Sequence, residues 1–284
     1  MGRDKEIIIP KQEEVRIENA ERQYDNSHIR KECERTCAGK NPNCSHFPKH
    51  YAEAGYPFGA RDYKDVPGWI NDAEKVYADA VENANNGDHF VEIGTLLGQS
   101  ATHMAQEIKN SGKKIKFDSI DLFWTIPDTI TNYKHTMHPH QFWAYYEMIR
   151  KSGIGEGNIQ GANVLDIIKN PLRQLDLIDY VNFITCDEKY AHRLYDDESL
   201  KFVWIDGDHQ KGAVYTNLVN FWPKIERGGI IAGDDMAEVR EDIDRFIKDY
   251  ERLQKAGHEI PPIGLVKFKE VPDNHFIIQK YPLV

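Results

Sequence analysis

From His89 onward the chain alternates short apolar runs with stretches of helical period, and few architectures accommodate that alternation. Apolar runs at 89–93, 116–122, 180–185, 202–205, 229–232, 264–269 and 275–280 have the length and composition of strands. Helical periods fall between them at Ser100 to Asn110, Ala213 to Trp222 and Ala237 to Lys255. Strands that alternate with helices build βαβ units, whose strands lie parallel in one sheet with helices on both faces. The last two runs are joined only by Glu270-Val-Pro-Asp-Asn274, which is too short for a crossover and predicts an antiparallel hairpin at the sheet's end. The expected class is therefore α/β, a doubly wound, mostly parallel sheet closed by a hairpin. Ahead of it, Trp69, Ala73, Val76, Tyr77, Ala80, Val81 and Ala84 recur at spacings of three and four, the mark of an amphipathic helix that Asn85-Asn-Gly87 terminates.

With 284 residues, one α/β domain plus an arm is as natural as two domains. The division expected is an N-terminal arm or lid over 1–67 and a single domain over 68–284. The arm is charged and irregular, with Pro10, Pro42, Pro48 and Tyr56-Pro-Phe-Gly59, and a lid-like arm of this kind suits packing on a second subunit, that is, a homodimer. Its Cys33, Cys37 and Cys44, followed by His46 and His50, are open to reading as plain thiols, a zinc site or a disulfide staple, although neither spacing is standard. Residues 124–179 are too long for one crossover and carry Phe142, Trp143, Tyr145, Tyr146 and three histidines, with helices expected near 140–151 and 162–175. An insertion at a strand's carboxyl end is placed to cover a site. The plainer alternative is a packed helical elaboration with solvated histidines.

Charge and composition remove several functions. Lys plus Arg number 36 against 46 Asp plus Glu, a net charge of −10, which disfavours a nucleic-acid partner. No apolar run is long enough to span a bilayer, the N-terminus lacks the pattern of a signal peptide, and Glu6 spoils a myristoylation signal at Gly2. The expectation is a cytoplasmic protein without a membrane partner.

The residues that carry chemistry lie at the ends of the expected strands. Phe90-Val-Glu92-Ile-Gly94-Thr95-Leu-Leu-Gly98-Gln-Ser100 reads as a strand, a glycine turn and a helix start, with Ser100 as the expected N-cap. Its Gly-x3-Gly spacing is not the G-x-G-x-x-G of dinucleotide sites, which removes the main reason to propose hydride transfer. At the end of the second run, Asp121 can accept hydrogen bonds from both hydroxyls of a ribose.

In these segments the chain resembles the class I S-adenosylmethionine-dependent methyltransferases over roughly 69–280. The resemblance implies a Rossmann-like fold and places Glu92, Gly94, Thr95, Gly98 and Ser100 around the methionine and ribose of the cofactor. It puts Asp121 on the ribose diol and Asp187, in Thr185-Cys-Asp187-Glu, beside the adenine. Phe221-Trp-Pro-Lys-Ile-Glu-Arg-Gly228-Gly229 is similar to the proline-lysine turn that leads into the fifth strand of that family.

Two further segments, Ile205-Asp206-Gly-Asp208-His209 and Gly233-Asp234-Asp235, sit at the ends of expected neighbouring strands about 5 Å apart. Four carboxylates at one mouth are unfavourable unless a cation neutralises them, and an all-oxygen set suits Mg²⁺ or another hard divalent ion. The competing reading has Asp235 capping the following helix while Asp206 and Asp208 lie in a solvated turn. This part of the chain resembles the metal-dependent sugar O-methyltransferases of the macrocin and aminocoumarin type. That resemblance implies Asp206, Asp234 and Asp235 as metal ligands, with Asp206 also bordering the cofactor. It implies a general base at Asp208 or His209, of which His209 is favoured because an imidazole titrates near operating pH. A sugar or glycan acceptor is the expected partner. Methylation of catechol-like hydroxyls and a non-catalytic binding module on the same scaffold are the alternatives.

Overall fold

The computed structural model describes residues 60–70, 73–123, 164–256, 266–271 and 274–280. The expectations for the arm over 1–59, with its cysteines, and for 124–163 lie outside them. The elements are α1 (Glu74–Glu82), β1 (His89–Ile93), α2 (Gln99–Ser111), β2 (Lys116–Asp121), α3 (Val164–Gln174), β3 (Asn182–Thr185), α4 (Glu188–Ala191), β4 (Leu200–Ile205), α5 (Ala213–Phe221), β5 (Ile225–Gly233), α6 (Met236–Lys255), β6 (Val266–Val271) and β7 (His275–Lys280). The seven strands form one sheet in the order β3-β2-β1-β4-β5-β7-β6. The first five are parallel, and β7 pairs antiparallel with both β5 and β6. This is the expected Rossmann-like arrangement, hairpin included.

The central strands β1, β2 and β4 are buried on both faces, and the alternation of side chains along them sorts these into two cores. Phe90, Phe117, Phe202, Trp204 and Ala232 pack with α1, α2 and α3, while Val91, Ile93, Ile120, Val203, Ile205 and Ile231 pack with α5 and α6. Trp204 meets Tyr77 edge to face at 5.1 Å between ring centroids, so the first helix is tied to the middle of the sheet. Within the insertion, Val164, Ile167, Ile168 and Leu172 are buried in the same core as Phe90, and α3 is the helix expected near 162–175.

Two local expectations change. The turn expected to run from Phe221 to Gly229 is shorter: Trp222–Lys224 is a single 3₁₀ turn, and β5 already begins at Ile225. Ile225 pairs with Leu200 and Ile230 with Phe202, so the extra β5 residues are absorbed as a bulge, with Gly228 at φ +82°. Ser100 is not the N-cap of α2, because the helix starts at Gln99 and Gly98 occupies the cap position at φ +93°.

The strand order reverses between β1 and β4, and ligands of such sheets bind outside the carboxyl ends of the strands at that point. There the exit segments of β1 and β4 touch. The Asp206 N–H donates to the Ile93 carbonyl at 2.8 Å, and a Cβ on Gly94 would overlap the Asp206 carbonyl oxygen. Gly94 also has φ +90°. Gly94→Ala should therefore cost about 3 kcal/mol through clash and backbone strain together, read as a lowered midpoint in urea unfolding.

Candidate active site

Three groups of residues converge at the carboxyl edge of the sheet. The first supports the turn between β1 and α2 from inside. Glu92 is 1% exposed and lies on the face of β1 that carries Phe90. It accepts hydrogen bonds from Tyr77 Oη at 2.9 Å and from Ser119 Oγ at 2.7 Å, and Ser100 is a further donor. Ser119 is its register partner on β2, and its hydroxyl lies 2.6 Å from Thr95 Oγ1. Burial pushes the Glu92 carboxyl up to about 7 against the pull of these hydroxyls. Glu92, Thr95 and Ser100, expected to line a cofactor, thus have buried side chains that hold the turn in place.

The second group is the turn itself. The Asp121 carboxylate at the end of β2 receives the backbone N–H groups of Thr95 at 2.9 Å and Leu96 at 3.3 Å through Oδ2, and that of Phe123 at 3.1 Å through Oδ1. Leu96 and Phe123 have positive φ, so this carboxylate holds two strained loop residues. Neither glycine of the motif is required by a ligand alone. The Cβ position of Gly94 is filled by the β4 loop, and one on Gly98 would lie 2.7 Å from Ile168 of α3. Beside the turn, Asp187 caps α4 through the Lys189 N–H at 3.1 Å and also pairs with the Lys189 ammonium at 2.8 Å.

The third group joins the ends of β4 and β5. Asp206, His209 and Asp235 each offer a ligand atom within 4.8 Å of the others, enough for one metal ion. His209 lies between the carboxylates, with Nδ1 3.0 Å from Asp235 Oδ2 and Nε2 3.6 Å from Asp206 Oδ1. Burial works against a charged imidazole, but the two carboxylates outweigh it and lift His209 to about 10. Burial raises Asp206 to about 6, with His209 pulling down and Asp234 and Asp235 adding to the rise. Without a divalent ion, the imidazolium is thus the cation that the carboxylates require.

Two expectations for this group are corrected. Asp234 lies outside it: its carboxylate is 4% exposed and turned to His275, with Oδ1 2.9 Å from Nδ1. The same oxygen accepts the Asp235 N–H at 2.7 Å. Adjacent residues at a strand end leave in different directions, so two consecutive aspartates do not deliver two ligands to one ion here. The acidic members become Asp206 and Asp235, whose oxygens suit Mg²⁺ or Mn²⁺, with the His209 imidazole between them. Asp208 is exposed, its Oδ1 accepts the Gln210 N–H at 2.9 Å in a local turn, and it is not one of the three residues grouped within 4.8 Å.

Sequence reasoning missed Glu188. Its carboxylate accepts the Asp208 N–H at 3.0 Å and an Asn217 amide N–H at 3.1 Å, and it fills the space where Gly207 lacks a side chain. The loop that carries Asp206 and His209 is thereby held from α4 and α5. The signal available in the sequence was Thr185-Cys-Asp187-Glu188, where a second acidic residue follows Asp187 directly after a strand.

No described helix is long and apolar enough to cross a membrane. No curated protein sequence matches the chain. Among solved structures it is similar to three methyltransferase-related chains. One is a Clostridium thermocellum protein proposed to be an rRNA methylase, at 13% identity and TM-score 0.46, covering 77% of this chain and 100% of that one. Another, from Staphylococcus aureus, is proposed to be a caffeoyl-CoA O-methyltransferase, at 15% and 0.44, covering 76% and 86%. The third is the S-adenosylhomocysteine-bound methyltransferase PaMTH1 of Podospora anserina, at 13% and 0.44, covering 99% and 100%. Likeness at this level says nothing of substrate. The family rests on sequence: residues 91–236, more than half of the 284, match the model described as "Methyltransferase domain", and they run from β1, through the glycine turn and both aspartate loops, to the start of α6. The chain belongs to the methyltransferase-domain family.

Proposed function

We propose that the protein is an S-adenosylmethionine-dependent O-methyltransferase that methylates a sugar hydroxyl of a glycan or glycosylated small molecule with help from a divalent metal ion. The observation that carries the chemistry is His209 between Asp206 and Asp235 at the carboxyl ends of β4 and β5, beside the reversal of strand order between β1 and β4. The residues suit the cofactor: Asp121 is a partly exposed, acceptor-only carboxylate beside the glycine turn, the group a ribose diol requires. They suit the metal too, since two acidic oxygens and an imidazole lie within reach of one ion.

S-adenosylmethionine supplies an electrophilic methyl on a sulfonium, and a divalent ion supplies Lewis acidity toward the acceptor hydroxyl. The chain does the rest. Asp121 and the turn orient the cofactor, with Asp187 beside its adenine. Asp206 and Asp235 would hold the cation through their oxygens. A divalent ion held there would take over the neutralising of these carboxylates and would leave His209 as a neutral imidazole, free to act as a base. The neutral imidazole then takes the acceptor's proton as the oxygen attacks the methyl carbon and the carbon–sulfur bond breaks. Residues 1–67 and the part of 124–179 that precedes α3 are proposed to shape the acceptor site.

The compactness of the three-residue group also allows His209 to be a third ligand, and one variant separates the two roles. His209→Ala should lower kcat by roughly 10² to 10⁴ while Mn²⁺ affinity, measured by calorimetry, stays close to wild type. Loss of Mn²⁺ binding would make His209 a ligand. Asp206→Ala and Asp235→Ala should each abolish metal-stimulated turnover and leave S-adenosylhomocysteine binding nearly unchanged. Activity that survives EDTA would overturn the metal part of the proposal. In a methyl-transfer assay over free sugars, nucleotide sugars, oligosaccharides and catechols, signal is expected on the sugars, and signal on phenols alone would reverse the choice of acceptor.

A further inference from the structure

β7 enters the sheet beside the end of β5, with Phe276 opposite Gly233, so the residues just before it lie against Asp234 and Asp235. Asn274 uses both ends of its side chain there. Its Oδ1 accepts the Ala237 N–H at 2.7 Å, and its Nδ2 donates to Asp235 Oδ1 at 3.3 Å. Ala237 is the second residue of α6, and its N–H is one that a helix N-cap side chain ordinarily receives. Asp235 occupies the position from which an aspartate would make that bond. Its main-chain carbonyl does accept from Glu238 at 2.7 Å and Val239 at 3.0 Å, but its side chain is directed to His209 instead. A φ of +53° at Asp235, outside the extended region usual for an N-cap, accompanies that redirection.

We infer that Asn274 is a positioning residue for the metal-binding group: it caps α6 in place of Asp235 and holds Asp235 Oδ1, so that Oδ2 faces His209 and Asp206. The terminal hairpin is then part of the site's construction as well as the edge of the sheet. Asn274 itself stands at φ +71°, a conformation that asparagine and glycine tolerate better than other residues. His275, next in the chain, meets Asp234 on one side and the Trp204 ring at 5.5 Å on the other, which keeps the segment in place.

This inference rests on the metal reading above, and the test separates the two. Mn²⁺ alone is titrated into the full-length wild type, Asn274→Gly and Asn274→Asp, with S-adenosylhomocysteine affinity and thermal midpoint recorded for each. Glycine removes both bonds without adding strain at a positive φ. Aspartate keeps an oxygen for the Ala237 N–H, tolerates the positive φ and has no N–H to give Asp235. Both variants should bind Mn²⁺ roughly tenfold more weakly, the usual effect of losing a group that orients a ligand. S-adenosylhomocysteine affinity should be unchanged, and aspartate should recover the thermal midpoint that glycine loses. Mn²⁺ affinity that equals or exceeds wild type in both variants, or that recovers with the midpoint in aspartate, overturns the positioning role. A wild type that binds no Mn²⁺ overturns the metal reading itself.

Discussion

The close approach of two backbones at Gly94 and Asp206 is the constraint on which the site depends. Parallel strands β1 and β4 lie side by side at the reversal of the sheet, and their exit loops must cross the same small space. Because Gly94 has no side chain, the Asp206 carbonyl sits where a Cβ would be, and the turn of β1 and the acidic loop of β4 become one surface. A larger residue there would push the loops apart and carry Asp206 away from the cofactor turn.

Around that contact, charge is handled in two ways. Glu92 is sealed inside the fold, where hydroxyl donors from α1, α2 and β2 compensate for its burial. Asp206 and Asp235 stay partly open and are balanced by one imidazole. A sealed carboxylate supports a turn, whereas the open pair keeps a charged imidazole between its members. The acidic groups near the turn thus divide into a sealed and an open part, although the four aspartates first expected at one mouth reduce to two.

Much of the architecture was legible in the sequence because it depends on period. Apolar runs at 89–93 and 275–280 match β1 and β7 residue for residue, and the short Glu270 to Asn274 connection foretold the antiparallel end of the sheet. A resemblance in the motifs placed Asp121 beside the turn and Asp206 and Asp235 together. It also placed Glu92, Thr95 and Ser100 on a cofactor surface, whereas their side chains are buried, because a motif records which residues occur and not which way they face.

By itself the sequence determined the alternation of strands and helices, the parallel sheet with its hairpin, and the family, since these follow from local period and ordered motifs. The tertiary structure alone decided which acidic groups meet. Asp234 and Asp235 are neighbours in the chain, yet one turns to His275 of β7 and the other to His209 of the β4 loop. Glu188, 20 residues before Asp208 in the chain, braces its backbone. Such pairings depend on the direction in which each side chain leaves a strand end and on what other segments bring to meet it, and no spacing along one chain records that.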